Sequence, residues 1–302
     1  MHKNIDKMDK ILGSKYAKDI CVIAITALMT LSCDQKKGGE NMGENASADS
    51  SCIKEQKTED AVSVVRKAIP FTGDFSQITN MGSPNIVFTE GECSIVAEGP
   101  EILVNHVRVS VDSGSLIVTL NSENNQDMNL FGMTADKLTL YISAPELRIV
   151  STCSSGSFTA KGKVETEDFI VGTLGAGSIE FDTLVCNKSF RYEGKSVADA
   201  IFRHIDVTGQ AELLGDGSGD IEADMNVNGQ LLLNLNGTGT TNVSGTADGT
   251  EILSFNKSVC NINMKVDGLL SVSSYDNSSV TFSGTYKTKQ IHRNSESTVT
   301  IN

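Results

Sequence analysis

The chain has 302 residues, with 27 Gly, 4 Pro, no Trp and a formal net charge of −13. That acidic balance argues against nucleic acid and anionic lipid headgroups as partners, since both repel a negative surface. An apolar share of 39% can core one domain, and the absence of any long helical periodicity excludes a helical one, leaving an all-β protein.

At the N-terminus, Lys3, Lys7, Lys10, Lys15 and Lys18 precede an uncharged apolar run from Ile20 to Leu31. The run is shorter than the roughly 20 residues needed to span a bilayer and fits a signal-peptide core. It ends in Thr30-Leu31-Ser32-Cys33, and a Cys after a small residue at this place resembles the lipobox of bacterial lipoproteins. The usual lipobox has Leu three positions before the Cys, where this chain has Thr30. The resemblance implies a signal peptide over residues 1–33, with Cys33 as the lipidated residue and its acyl chains as the link to the membrane. A cleaved secretory signal or a short membrane anchor is the alternative. Loss of residues 1–32 removes five Lys and three Asp and leaves 20 basic against 35 acidic residues.

Residues 34–64 include Lys36-Lys37-Gly38-Gly39 and Asn45-Ala46-Ser47-Ala48-Asp49 and offer little to a core. They are expected to form a disordered tether. The expected domain covers residues 65–302. Its first part reads as strands at Ile86-Val87-Phe88, Ser94-Ile95-Val96, Val107–Val111 and Leu116–Leu120, then a polar loop from Asn121 to Gln126 and a strand from Lys137 to Ile142. This part should begin a stack of coils and cap it, because an open solenoid end leaves strand edges unpaired.

Beyond it the sequence repeats itself. Pairs of inward positions follow polar turns at Phe158/Ala160, Ile179/Phe181, Ala198/Ala200, Ile221/Ala223, Thr241/Val243, Cys260/Ile262, Val280/Phe282 and Val299/Ile301, with steps of 21, 19, 23, 20, 19, 20 and 19 residues. The turns before them are rich in Gly or Ser, as in Gly175-Ala176-Gly177-Ser178 and Gly237-Thr238-Gly239-Thr240. A period near 20 without repeated Leu and Asn positions excludes a leucine-rich horseshoe. It fits a single-stranded, right-handed parallel β-helix, in which each coil holds two or three short strands. A β-sandwich is the alternative, but it does not account for the repetition of turn chemistry. Glycine is expected to supply the positive φ of the corners. The opposite wall is expected at Leu147/Ile149, Phe169/Val171, Phe190/Tyr192, Ile205/Val207, Leu231/Leu233, Leu269/Leu270 and Ile291.

This register points the intervening residues outward as a ladder of Thr159, Glu180, Asp199, Glu222, Asn242, Asn261, Thr281 and Thr300. Three acidic rungs about 4.8 Å apart would repel one another, so Glu180, Asp199 and Glu222 are candidates for a divalent-cation stripe that could bridge to an acidic glycan. A solvated acidic face is the alternative. The final residues, Val299 to Asn302, read as mid-strand, which makes that end a candidate for self-association or docking.

The order Phe75-x-x-Ile78, Ile86-Val87-Phe88, Leu140-Tyr141-Ile142-Ser143-Ala144-Pro145-Glu146-Leu147, Ser155-Gly156-Ser157, Gly177-Ser178-Ile179 and Gly217-Ser218-Gly219-Asp220-Ile221 resembles the auto-transporter adhesin, head GIN domain family. The resemblance covers roughly residues 68–302. It implies a parallel β-helix in a secreted or lipid-anchored envelope protein, and it carries no catalytic residues. The last three turns depart from the family pattern, using Asn and Ser where Gly is usual.

Catalytic groupings are sparse. The sequence has no Asp-Asp, Gly-His-Gly, Arg-x-Lys or Gly-x-Ser-x-Gly, and His2, His106, His204 and His292 lie apart from one another. The segment from Gly215 to Ile221 resembles one unit of a calcium-binding nonapeptide repeat, but one unit is not a site. Cys52, Cys93, Cys153, Cys186 and Cys260 are odd in number and irregularly spaced, so neither a disulfide framework nor a zinc site follows. No cofactor is expected. The leading expectation is a non-enzymatic adhesin, lipid-anchored in the envelope of a Gram-negative bacterium at its outer membrane and contacting a surface glycan or an envelope protein. A periplasmic structural or sensory accessory is the second reading. A polysaccharide-active enzyme is the third, disfavoured by an aromatic content of 5% without Trp.

Overall fold

Ile221, Ala223, Met225 and Val227 are buried, and the residues between them point away from the core. This period of two recurs in strand after strand, so each strand has one apolar face to hide. The solution is a coil that turns those faces inward. The computed structural model describes residues 63–121, 137–195 and 197–302. The expected signal segment with Cys33 lies outside the described residues, as do almost all of the tether and most of the Asn121–Gln126 loop.

The domain opens with β1 (Val64–Ala68), β2 (Gln77–Asn80), β3 (Asn85–Glu90) and β4 (Ser94–Pro100), then the short helix α1 (Glu101–His106). β5 (Val107–Asp112), β6 (Ser115–Leu120), β7 (Thr139–Ala144) and β8 (Ile149–Thr152) follow. Six long or paired elements then make the coils: β9 (Phe158–Thr173), β10 (Ile179–Gly194), β11 (Ala200–Val207) with β12 (Gln210–Gly215), β13 (Ile221–Gly237), β14 (Thr240–Asn256) and β15 (Val259–Ser274). β16 (Ser279–Arg293) and β17 (Thr298–Ile301) end it. The result is a parallel β-solenoid of about 8 turns with coils of about 20 residues.

Each full coil has three walls, represented in β9 by Phe158–Ala160, Val164–Thr166 and Phe169–Val171. The expected inward pairs hold on the first wall with one exception. Ile179 lies opposite Ala200 and Phe181 opposite Phe202, and these two stand opposite Ile221 and Ala223 in turn. The third pair is therefore Ala200/Phe202, not Ala198/Ala200. With it, the steps become 21, 21, 21, 20, 19, 20 and 19 residues. The opposite wall is also revised in four places, one being Ile291, which keeps register with Val272 but is exposed. Ile205/Val207 belongs to the second wall, and Ala211/Leu213 fills the third between Tyr192 and Leu233. Val150, rather than Ile149, faces inward. Leu269 points out at 46% exposure, while Leu270 and Val272 are fully buried.

The cap is present, but the coils beneath it are out of chain order. Ile78 of β2 lies between Leu116 of β6 and Val150 of β8, and Ile86 of β3 lies between Leu140 of β7 and Phe158 of β9. The later coil, β6–β7, thus stacks outside the earlier β2–β3. Antiparallel partners close over it: β4 on β7, β1 on β4 and β5 on β6. Leu103 and Val104 of α1 are buried. The change of direction ends the parallel ladder and covers its apolar end.

Glycine supplies positive φ at some bends, as at Gly114 (φ 79°) and Gly162 (φ 78°), but the glycines of the polar turns between coils are needed for closeness instead. A Cβ on Gly177 would overlap the carbonyl oxygen of Gly156 one coil below, and one on Gly219 would overlap that of Ala198. The turns stack too tightly for any side chain at these points. Among the polar turns, left-handed backbone appears in the later corners, at Asn256 (φ 58°), Asp276 (φ 55°) and Asn277 (φ 63°). These are the turns where Asn and Ser replace Gly, and Asn and Asp accept this conformation better than most residues. Buried serines complete them: Ser274 and Ser278 hydroxyls lie 2.8 Å apart, Ser278 Oγ donates to the Ser254 carbonyl at 3.0 Å, and Ser297 Oγ donates to that of Ser274 at 2.8 Å.

Candidate functional site

The outer face of the first wall follows from the corrected register. Glu180, Ile201, Glu222, Asn242, Asn261 and Thr281 occupy successive rungs of one column. Two residues further along each strand, Asp224, Ser244, Asn263 and Ser283 form a second. Rungs stand about 4.8 Å apart because the strands are parallel neighbours. Between and beside the columns lies an open groove of about 450 Å³, which also reaches Arg203.

One end of the groove is charged. Arg203 donates to Glu180 Oε1 from Nε at 2.8 Å and from Nη2 at 2.6 Å, and its Nε lies 3.8 Å from Asp182. The bond to Glu180, more than any other influence, raises the guanidinium pKa. Asp224 accepts a bond from Ser244 Oγ at 2.8 Å and lies 3.3 Å from His204 Nδ1, while His204 Nε2 lies 3.3 Å from Asp206. The His204 pKa is raised, first by its hydrogen bond with Asp224 and against a smaller opposing effect of burial. The other end is neutral: Asn261 Nδ2 donates to Asn242 Oδ1 at 2.9 Å, and Asn242, Asn261 and Asn263 are exposed.

The cation stripe expected of Glu180, Asp199 and Glu222 is not assembled. Ile201 stands between Glu180 and Glu222, and Glu180 is engaged by Arg203. Asp199 sits at the corner, where its Oδ1 accepts the backbone N–H of Asp220 at 2.9 Å; Asp220 Oδ1 in turn accepts that of Thr240 at 2.7 Å. These carboxylates satisfy stacked backbone donors at the corner instead of joining Glu180 and Glu222 in one column. Among the described residues no group of three or more His, Cys, Asp or Glu is arranged to hold a metal ion.

His106 Nδ1 lies 2.6 Å from the Ile102 carbonyl, and His292 sits on the third wall far along the stack. Cys93, Cys153, Cys186 and Cys260 are free thiols, and burial pushes Cys186 and Cys260 up to about 12. Cys260 is a core filler, as its inward position implied. Sequence reasoning missed an ion-pair cluster on the outer third wall, where Arg191 bonds Glu212 and lies 3.5 Å from Glu193, itself 2.5 Å from Lys195. The 21-residue step from Arg191 to Glu212 was its signal.

The class of protein so defined is a capped parallel β-solenoid with an open groove on the outer face of its first wall. The chain belongs to the family described as "Putative auto-transporter adhesin, head GIN domain", which it matches over residues 74–262. A comparison with curated proteins found no match. Among solved structures, the chain is similar to a "putative adhesin" from Bacteroides fragilis, with a TM-score of 0.52 and 15% identity over 80% of this chain and 97% of the other. It is similar also to a "putative lipid binding protein" from Parabacteroides distasonis, with a TM-score of 0.51 and 14% identity over 79% and 96%. At these identities the likeness establishes the fold. Among the described residues, no helix is long and apolar enough to cross a membrane.

Proposed function

We propose that the protein is a non-enzymatic adhesin of the bacterial envelope, held to the outer membrane through acyl chains on Cys33 and presenting the first wall of its solenoid as a binding face. The observation that carries this reading is the groove itself. It is open, and it is built from outward positions that recur coil by coil along the sheet, which favours contact with an extended partner. Membership of an adhesin family and the resemblance of residues 30–33 to a lipobox support it. Three acyl chains would hold such a protein durably, whereas one holds it only marginally.

Protease shaving of intact cells, with lysed cells as control, tests the display of the domain. Loss of the domain from intact cells is the expected result. Protection in intact cells with digestion after lysis would place it in the periplasm and end the adhesin reading in favour of an accessory that binds other envelope proteins.

A further inference from the structure

The groove of the first wall also carries information about what fits it. Each coil offers the same two outward positions, so a ligand that uses several rungs must itself repeat. The groups on offer along the neutral end are the amides of Asn242, Asn261 and Asn263 and the hydroxyls of Ser244, Thr281 and Ser283. Amides and hydroxyls both donate and accept, which suits a partner dense in hydroxyl groups.

Charge narrows the choice. The lining has Glu222 and Asp224 against Arg203, on a chain whose formal net charge is −13, so a polyanion is repelled. A polycation would find no carboxylate along the Asn242-to-Ser283 end. A peptide strand is disfavoured for a different reason. Peptides that add to a sheet pair with free backbone groups at an edge, whereas the backbone of β13, β14 and β15 is already paired on both sides here. The groove lining has no exposed aromatic ring to stack on a sugar, since Phe202 faces the core at 1% exposure. Affinity must then accumulate from many weak polar contacts along a chain.

We propose that the first-wall groove binds an uncharged polysaccharide lying along the solenoid axis, with Asn242, Asn261 and Asn263 as its main hydrogen-bonding contacts. This inference rests on the adhesin reading for its setting and adds the ligand class.

The test is affinity electrophoresis of the full chain in detergent through gels holding soluble neutral β-glucan, mannan or galactan, with polygalacturonate as the anionic probe. At least one neutral polymer is expected to retard the protein, and longer fragments of it to compete better than shorter ones. The Asn242→Ala/Asn261→Ala pair should weaken retardation about tenfold, the effect of losing about two hydrogen bonds. Asn263→Leu, which keeps approximate size and removes both donor and acceptor, should weaken it too. Ser271→Ala/Gln290→Ala on the outer third wall should change nothing. No retardation by any neutral polymer, retardation by polygalacturonate alone, or equal loss in the third-wall variant would each overturn the inference. Capture of envelope proteins without retardation by any polymer would overturn it while leaving the adhesin reading intact. Protection from protease shaving would do the reverse.

Discussion

Phe202 stacks on Phe181 across adjacent coils, with ring centroids 5.8 Å apart and planes inclined by 19°. Phe190 and Tyr192 meet Phe202 edge-on at 5.2 and 5.5 Å, so one ring joins the first wall to the third. Phe202→Ala should destabilise the domain by about 3–5 kcal/mol, the usual cost of an aromatic cavity in a tight core. Denaturant unfolding followed by circular dichroism measures it. A loss under about 1 kcal/mol would mean that the stack does not hold the coils together.

The stacked turns make a second prediction. Gly219→Ala places a Cβ on the Ala198 carbonyl and should cost about 1–3 kcal/mol through forced separation of two coils. Gly91→Ala is the control, because its new Cβ would meet only Ser143 Cβ at 4.0 Å. Thermal melts of the two variants should differ clearly, and equal melts would refute the close-approach explanation.

The buried serines near the last corners should also be sensitive. Ser278 Oγ joins the hydroxyl of Ser274 and the carbonyl of Ser254 and accepts the N–H of Tyr275 at 3.2 Å. Ser278→Ala leaves these groups buried without that partner and should cost about 1–3 kcal/mol. Hydrogen exchange should show the loosening at β15 and β16 first, as solenoid coils depend on their neighbours.

Protonation of His204 should be coupled to Asp224. Its raised pKa means that the folded state binds the proton more tightly than the unfolded chain, whose value is about 6.5. The stabilisation is therefore complete below that unfolded value and is lost as pH rises through the folded one. It is small, because His204 and Asp224 are 38% and 49% exposed and solvent screens the pair. Titration by NMR should find a lower His204 midpoint in Asp224→Asn than in the parent, and an unchanged midpoint would show that the pairing does not form.

Repetition made the walls legible in the sequence, because each coil had to present the same inward parity to the same neighbours. The third coil was misread because Ala198 and Ala200 also satisfy that parity, and a shift of two residues preserves it. The more regular spacing of 21 residues, and the gain of Phe202 as an inward ring, distinguish the true register. That slip produced the false acidic stripe by placing Asp199 where Ile201 stands. The out-of-order stacking of β6–β7 outside β2–β3 had no local signal, since strand pattern says which face is buried but not which strand lies next to it. The turn glycines were visible; positive φ accounts for Gly114 and Gly162, whereas the reason for Gly177 and Gly219 lay in contacts between coils.

The most direct test of the proposed binding face is bacterial adherence to surfaces coated with neutral polysaccharide, comparing cells that carry the parent protein with cells carrying Asn263→Arg or Gln290→Arg. Both positions are exposed, so protein levels and melting should match. Adherence is expected to fall with Asn263→Arg, which obstructs the first-wall groove, and to persist with Gln290→Arg on the third wall. Equal adherence by all three would contradict the assignment of binding to the first wall.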